Sequence, residues 1–253
     1  MADYTPIKTV VQAFEILDLL SDKQKMGISE MARVLSLPKS TIYRNLRTLS
    51  DLAIVEQDAN ENYHLGYKIL TYQNQIKSTD ALVNQLKPFM QNLVRTTGES
   101  VNLGILLEDE VLILHTEYGD QYTLQTHLSP TTPLHCSGIG KLFLHTWSDE
   151  KLKAYFSRAE RRTIHTITEL ESFKAHMAAR TDVHLAVDNE EYEYGLMCIA
   201  TPILDAHHQI RAALSISGPV SRLEHKGLST IKTALLNEAQ EAIDYLQNIG
   251  YWK

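Results

Sequence analysis

The sequence has no apolar run that approaches the roughly 20 residues needed to span a bilayer. Its first residues, Met-Ala-Asp-Tyr-Thr-Pro, lack a basic segment followed by an apolar one, so we expect no signal peptide. Only two cysteines, Cys136 and Cys198, are present, which is too few for a disulfide framework. These absences argue against a membrane protein and a disulfide-rich secreted domain, and we expect a cytoplasmic protein.

An excess of positive charge is missing as well. The 24 Lys+Arg and 31 Asp+Glu give a formal net charge of -7, which argues against a general basic binder of nucleic acids. The charge is uneven, because residues 1–78 carry 9 basic and 9 acidic side chains whereas the remainder carries 15 and 22. A neutral head on an acidic body suits a site-specific DNA binder, since the body would repel DNA outside the intended contact.

One locally basic stretch, 37–49, has two faces of opposite character when it is read at the helical period. Ile42, Leu46 and Leu49 recur at i, i+4 and i+7 and form an apolar stripe. The residues outside this stripe include the candidate DNA contacts, which are Lys39, Ser40, Thr41, Tyr43, Arg44 and Arg47. Such side chains contact phosphates and base edges, and Arg is the usual partner of guanine in the major groove. Taken alone, the stretch is more typical of a solvated basic helix face.

The flanking sequence favours DNA recognition. We predict a first helix over residues 9–21, with an apolar side made of Val10, Phe14, Leu17 and Leu20. A short helix over 30–35, capped by Ser29, precedes the basic stretch. Strand-like residues on both sides of a turn at 58–61 predict a β-hairpin after it. Three short helices and a hairpin predict a winged helix-turn-helix over residues 1–66, whose third helix enters the major groove.

The rest of the chain predicts a linker helix over 67–80 and an α+β domain over 81–253. We expect a helix over 80–97 that kinks or restarts at Pro88, a loop over 129–133, and one terminal helix over 221–247 covering a face of the sheet. The remaining predicted segments are strands at 99–107, 110–116, 122–128, 183–187, 197–204 and 210–217, and helices at 149–157 and 170–180.

Two short segments of this domain favour ligand binding. Ser137, Gly138 and Gly140 precede an apolar helical run, which exposes backbone N–H groups at a helix start and predicts an anion site, although glycine-containing helix starts are common. Ser215 and Ser217 alternate along a predicted strand, so their hydroxyls point to the same side. Without a ligand, hydrogen bonds to the backbone would be the ordinary fate of such serines.

Longer motifs resemble those of the IclR-type bacterial transcriptional regulators. In the head these are Ser29-x-Met-Ala-x-x-Leu-x-Leu-Pro-Lys-Ser-Thr-x-Tyr-Arg-x-Leu-x-Thr-Leu49 and Tyr63-x-Leu-Gly66. In the body they are Pro133-Leu-His-x-Ser-Gly-x-Gly-Lys141, Asp188-Asn-Glu-Glu-x-x-x-Gly-Leu-x-Cys-Ile-Ala200, Pro202-Ile-x-Asp205 and Ala213-Leu-Ser-Ile-Ser-Gly-Pro219. The departure is at 51–53, where the family commonly has a glycine after the helix, so the turn there is expected to differ.

The resemblance implies a winged helix-turn-helix joined by a helix to a GAF/profilin-like α+β domain. It also implies a ligand-responsive regulator that acts as a homodimer or a dimer of dimers, binds double-stranded operator DNA, and senses a small-molecule effector, expected to be a carboxylate, without a cofactor. Asp188 would accept from a ligand hydroxyl or amide, or orient a neighbour. Matched to this sequence, the family's pocket falls on Gly138, Ile139, Asp188, Leu196, Cys198, Ser215 and Ser217.

Three alternatives were weighed against this interpretation. Cys198 with Asp188 and a histidine could form a thiol hydrolase, but no motif places a histidine beside the thiol, and we expect no enzyme. His127, His135 and Cys136, or the His207-His208 pair, could bind a metal, but their spacings are not those of zinc sites, and we expect none. The third is a metabolite- or metal-sensing module that acts through protein contacts with a vestigial head.

Overall fold

The computed structural model describes residues 5–72, 81–119, 131–180 and 182–252. The chain divides into two compact units, Met1–Asp80 and Ala81–Lys253. The elements of the first unit are α1 (Lys8–Lys23), α2 (Ile28–Val34), α3 (Lys39–Asp51), β1 (Val55–Gln57) and β2 (Tyr63–Leu65). The two strands pair antiparallel, with Val55 opposite Leu65. The predicted winged helix-turn-helix is therefore confirmed.

The core of the first unit confirms one predicted apolar side and corrects another. Ile42, Leu46 and Leu49 of α3 are buried as predicted. On α1, however, the predicted Val10 and Phe14 are 51% and 61% exposed, and the core side is formed by Ile16 and Leu20 with half-buried Leu17. The prediction failed because α1 is apolar on two sides, and periodicity alone does not tell which side meets the other helices.

Two turns of this unit differ from expectation. The predicted cap Ser29 lies inside α2, which begins at Ile28 after Gly27 without a side-chain cap. After α3, Ala53 adopts a left-handed conformation with φ of 59°. Its N–H donates to the Ser50 carbonyl over 2.8 Å, which closes the helix end. This is the position where the resemblance led us to expect a different turn, and alanine takes there the backbone conformation that glycine adopts at lower cost.

The hairpin turn is organised by an acidic side chain. Asp58 Oδ1 accepts from the backbone N–H groups of Asn60 and Asn62 over 2.9 and 3.0 Å. Its Oδ2 lies 3.1 Å from Lys25 Nζ, and these contacts lower the pKa of the Asp58 carboxyl. Residues 48–67 contain four acidic residues and no Lys or Arg. A helical turn then begins at residue 69, and the remainder of the predicted linker helix, 73–80, lies outside the described residues.

The second unit is built on a six-stranded antiparallel sheet with the order β5-β4-β3-β8-β7-β6. The strands are β3 (Ser100–Leu107), β4 (Glu110–Glu117), β5 (Thr131–Pro133), β6 (Ala186–Asn189), β7 (Leu196–Leu204) and β8 (Ile210–Pro219). The helices are α4 (Ala81–Thr97), α5 (Gly138–Leu144), α6 (Asp149–Phe156), α7 (Leu170–Ala178), α8 (Val220–Lys226) and α9 (Leu228–Asn248).

Helices cover both faces of this sheet. Side chains such as Leu214 and Ile216 pack with α4 and α9, whereas their neighbour Ala213 packs with α5 on the opposite face. Successive residues of a strand point to opposite faces, so Ser215 and Ser217 share the side of Ala213. Within the four described ranges, no helix combines the length and the apolar character that crossing a membrane requires.

Several predicted boundaries in this unit were wrong. The predicted loop over 129–133 contains β5, which pairs with β4, and the strand predicted at 183–187 begins only at residue 186. The terminal helix is broken into α8 and α9 at Gly227, whose φ of 88° is incompatible with a continuous helix. Helix α4 continues through Pro88 without restarting. The strand predicted at 122–128 lies outside the described residues.

Candidate functional site

The outer face of α3 carries the predicted DNA contacts. Tyr43, Arg44 and Arg47 are exposed, as are Lys39 and Ser40 at the helix start. Thr41 is half-buried. Arg47 donates to the Tyr43 hydroxyl over 3.4 Å, and this bond raises the pKa of the Arg47 guanidinium. The helix therefore presents permanently charged donors to solvent on the side opposite its buried stripe, as a contact to phosphates and base edges requires.

A small cavity lies in the second unit on the α5 side of the sheet. Its volume is about 40 Å³, which leaves room for only a few water-sized groups. All seven predicted pocket residues line it, which are Gly138, Ile139, Asp188, Leu196, Cys198, Ser215 and Ser217. The remaining lining residues are Asn102, Val111, Ile113, Thr132, Ser137 and Tyr192.

Strand register brings these residues together from distant parts of the chain. Cys198 of β7 is paired with Asp188 on one side and with Ser217 on the other. Asn102 of β3 is paired with Ser215 of β8. Paired residues on adjacent strands project to the same face, so four strands supply two neighbouring rows of polar groups facing α5, one with Asp188, Cys198 and Ser217 and one with Asn102 and Ser215.

The helix start contributes backbone amides. Ser137 caps α5 by accepting from the Gly140 N–H over 2.8 Å. The first N–H groups of a helix have no intrahelical partner, which leaves those of Gly138 and Ile139 for another acceptor. Gly140 has to be glycine, because a Cβ there would lie 2.3 Å from backbone atoms of Leu134. The small residues of this motif therefore bring α5 close to the preceding segment.

Asn102 connects the two serines, and the sequence analysis missed it. Its Nδ2 donates to Ser217 Oγ over 2.9 Å and to Ser215 Oγ over 3.4 Å, while its Oδ1 accepts from Thr116 Oγ1 over 2.8 Å. Ser217 in turn donates to Cys198 Sγ over 3.2 Å. The partner of both serines is thus a side chain, and not the backbone as in the alternative we considered. A lone amide within the apolar strand 100–107 was the available signal.

Asp188 is 1% exposed and holds the following turn. Its Oδ1 accepts from the N–H groups of Glu191 and Tyr192 over 2.8 and 3.2 Å, in accord with the expectation that it orients a neighbour. Burial raises the pKa of the Asp188 carboxyl to about 7, against the opposing effect of nearby Lys141. The pocket wall can therefore be neutral near physiological pH.

Burial also raises the pKa of both cysteine thiols in this region. It raises the pKa of the Cys136 thiol to about 12, and it raises the pKa of the Cys198 thiol as well. The thiolate is the nucleophilic form of cysteine, so both groups are held in the unreactive form. This arrangement contradicts the chemistry of a thiol hydrolase.

Beneath the pocket lies a buried ion pair that the sequence analysis also missed. Lys141 is fully buried, donates to the Val187 carbonyl over 2.7 Å and contacts the Glu191 carboxylate. Burial raises the pKa of Glu191, and Lys141 opposes that shift. Within the described residues, Glu191 Oε2 is buried without a hydrogen-bond partner. Lys141 lies in a quoted motif, but its partner is 50 residues away and no spacing rule connects them.

The histidines considered as metal ligands have other contacts. The ring of His135 lies 3.0 Å from the Tyr155 hydroxyl through Nδ1 and 2.9 Å from the Glu160 carbonyl through Nε2. Burial lowers the pKa of His135, which favours the neutral ring. In the part of the chain that the structure describes, no three His, Cys, Asp or Glu side chains are placed to share a metal ion. His127 lies outside that part.

Comparison with known proteins agrees with this architecture. Residues 9–59 match the IclR helix-turn-helix domain, and residues 73–245 match the bacterial transcriptional regulator IclR C-terminal domain. The chain is similar to the HTH-type transcriptional regulator BhcR of Paracoccus denitrificans, with 32% identity over 93% of this chain and 86% of that protein. It is similar to the HTH-type transcriptional regulator KdgR of Escherichia coli, with 31% identity over 97% of this chain and 94% of that protein.

The fold has a counterpart among solved structures. The crystal structure of an IclR transcriptional regulator from Alicyclobacillus acidocaldarius matches with a TM-score of 0.78 at 20% identity, covering 95% of this chain and 99% of that one. The relatives above are named as transcriptional regulators and not as enzymes. Because the matches extend over both units, the chain belongs to the IclR family of bacterial transcriptional regulators, with a helix-turn-helix DNA-binding domain and a C-terminal effector-binding domain.

Proposed function

We propose that this protein regulates transcription in the cytoplasm by reading operator DNA with α3 and sensing a small organic acid in the cavity beside α5. The observation that carries the proposal is the convergence of all seven expected pocket residues on one cavity. In this proposal residues 1–66 bind DNA, residues 67–80 link the two domains, and residues 81–253 bind the effector.

The DNA-binding part of the proposal rests on the exposed face of α3. Arg44 and Arg47 are exposed one helical turn apart, so both can reach base edges in one groove. Lys39, exposed at the helix start, would contact phosphate. Acidic residues are absent from 37–49, and most of the net negative charge lies in the second unit, with 15 Lys+Arg and 21 Asp+Glu over 81–253. Specific recognition would thus come from one helix.

A homodimer, or a dimer of dimers, completes the operator contact. Helix-turn-helix dimers place two recognition helices into successive major grooves about 34 Å apart, over a pseudo-palindromic site. The exposed side of α1 offers a contact for a second copy, because Ile7, Val10, Val11 and Phe14 are 69%, 51%, 43% and 61% exposed. Adjacent apolar side chains of this size are typical of a protein interface.

A carboxylate fits the donor set of the pocket. Two backbone amides at the start of α5 and the hydroxyls of Ser215 and Ser217 can each donate to a ligand oxygen. Lys141 is paired with Glu191 and so does not offer a free cation. Asp188, with its raised pKa, can lose its negative charge by taking a proton, which lowers the repulsion of an anionic ligand.

DNA binding is tested on a fragment of the promoter upstream of the protein's own coding sequence. Arg44→Ala should cost about 1–3 kcal/mol of specific binding if Arg44 reads a base edge. Arg161→Ala, an exposed residue of the second unit, is the matched control and should leave affinity unchanged. Unchanged affinity in both Arg44→Ala and Arg47→Ala would contradict the recognition helix. Salt-independent binding would favour the alternative of a module that acts through protein contacts.

Effector binding is tested by a thermal-shift screen of small carboxylates and sugar acids, since a ligand that binds the folded state raises the unfolding temperature. For any acid that stabilises the protein, Ser217→Ala should weaken binding while leaving ligand-free DNA affinity intact. Ser157→Ala, which alters an exposed serine after α6, is the control. Equal calorimetric affinity of wild type and Ser217→Ala would refute the pocket.

A further inference from the structure

We propose that Asn102 fixes the hydrogen-bonding polarity of the pocket and thereby makes the site select a carboxylate over the corresponding amide. The inference rests on the proposed effector pocket and deepens it, because it names the residue that determines the ligand class. Asn102 is 3% exposed and lines the cavity, and on the sheet it lies between Thr116 of β4 and Ser215 of β8.

The orientation of the Asn102 amide is set from the side away from the serines. Thr116, its neighbour on β4, donates its hydroxyl to Asn102 Oδ1 over 2.8 Å. With the oxygen held there, the amide nitrogen points to β8 and donates to Ser217 and Ser215. The Thr116 hydroxyl thus stabilises the orientation in which the amide nitrogen faces the pocket serines.

This orientation makes the serines donors. A serine oxygen that accepts from Asn102 directs its own hydrogen elsewhere, because a hydroxyl has one donor hydrogen. Ser217 gives this hydrogen to Cys198 Sγ over 3.2 Å, and a thiol sulfur is a weak acceptor. A ligand oxygen can therefore take over the Ser217 hydrogen at little cost, and Ser215 can donate in the same way.

A site that donates from two hydroxyls discriminates between acid and amide. Both oxygens of a carboxylate accept, so the donors are paired on binding. An amide presents N–H groups on one side, and these would face a donor and remain unpaired, which is the situation that gives large discrimination. Asp188 is a lining group that could accept from an amide; its Oδ1 already accepts two backbone N–H groups, so an amide would have to reach its Oδ2.

The test compares acetate with acetamide, two probes of nearly equal size that fit a small cavity. Binding to the full-length protein is followed by NMR titration of assigned pocket methyl groups, including those of Val111 and Ile113, which line the cavity. Wild type should bind acetate more tightly than acetamide. Asn102→Asp replaces the amide donor with a carboxylate acceptor, so Ser215 and Ser217 would donate to the side chain at position 102 and no longer to the ligand. The acetate-to-acetamide affinity ratio should then fall by about tenfold or more.

Thr116→Val provides a second variant if Asn102→Asp fails to fold. It keeps the side-chain volume but removes the hydroxyl that holds Oδ1, so the amide can turn, and the ratio should fall to a smaller extent. Thr96→Val, the same chemical change at an exposed position of α4 on the opposite side of the sheet, is the matched control and should keep the wild-type ratio. Thermal unfolding of each variant verifies its fold.

The outcomes separate this inference from the proposed function. A wild-type ratio in both Asn102→Asp and Thr116→Val would overturn the role of Asn102 and place selectivity at Asp188, while the pocket would stand. If the wild-type protein bound acetamide more tightly than acetate, the Asn102 amide would have the opposite orientation, and the proposed role of Asn102 would also be overturned. Binding of neither probe at these methyl groups would remove the pocket and this inference together.

Discussion

The two units place their functional residues in opposite physical settings. In the first unit the proposed DNA contacts lie within nine consecutive residues, 39–47, and all of them except half-buried Thr41 are exposed. In the second unit the proposed pocket collects largely buried groups from residues more than 100 positions apart, such as Asn102 and Ser217. Exposed groups act nearly independently, because water satisfies each one. Buried polar groups depend on one another, because each lost partner leaves an unsatisfied group behind.

The ion pairs of the two units differ in burial in the same way. Lys25 and Asp58 of the first unit form an exposed pair, with 59% of the Lys25 side chain accessible. The Lys141 and Glu191 side chains are 0% and 5% accessible. A surface pair adds little stability, whereas breaking a buried pair strands a charge in the interior. Substitutions should therefore have much larger effects in the second unit than in the first.

The largest expected effect is that of Lys141→Met. Removing the cation leaves Glu191 buried without its partner, which should lower the free energy of unfolding by about 3–5 kcal/mol. Urea denaturation followed by circular dichroism measures the change. The double variant Lys141→Met/Glu191→Met should recover most of the loss, because no charge is then stranded.

The matched variant in the first unit is Lys25→Met, which breaks the exposed pair with Asp58 and should lower the stability far less than Lys141→Met does. Similar losses in the two single variants would remove the contrast between the units. A double variant at 141 and 191 as unstable as Lys141→Met would also contradict the pairing.

The next effect is on the pH dependence of stability. The pKa of Asp188 is raised to about 7 in the folded protein, so the folded state holds a proton that the unfolded chain releases at about pH 4. The contribution of Asp188 to the free energy of unfolding should consequently be largest at the acidic end of this window and fall by about 2–4 kcal/mol as the pH rises from 4 to 7. Denaturation across this range measures the fall, which Asp188→Asn should flatten. An equal slope in wild type and variant would contradict the assignment.

The smallest effect concerns the turn after α3. Ala53 has a φ of 59°, a conformation that costs a residue with a Cβ about 1–2 kcal/mol. Glycine avoids this cost but loses more entropy on folding, so Ala53→Gly should stabilise the protein by about 0.5–1 kcal/mol. Ala32→Gly within α2 is the same chemical change in a helical conformation and should destabilise it. Thermal unfolding compares the two, and a shift of equal sign would exclude the backbone explanation.

The sequence predicted those parts of the fold that local pattern determines. The buried stripe of α3 and the hairpin after it follow from periodicity and turn composition, and both are present. The alternation of Ser215 and Ser217 correctly placed both hydroxyls on one face. The start of α5 was predicted from the small residues Ser137, Gly138 and Gly140.

Features that depend on packing between distant elements could not be predicted from local pattern. The core side of α1 depends on where the other helices lie, and both of its sides are apolar. Asn102 acquires its partners only through the pairing of β3 with β8, and Lys141 only through the packing of α5 on β6. The identity of the seven pocket residues came from resemblance, since local spacing does not connect Asp188 with Ser217.

The acidic hairpin has a consequence for how the protein finds its site. In a genome, a regulator meets a vast excess of wrong sequences, and its residence time on each is set by contacts to phosphates, which carry no sequence information. Residues 52–67, which contain the hairpin, carry three acidic side chains and no Lys or Arg. If α3 enters the major groove as proposed, the hairpin would add repulsion where phosphate contacts would otherwise form, and this repulsion would speed release from DNA of the wrong sequence.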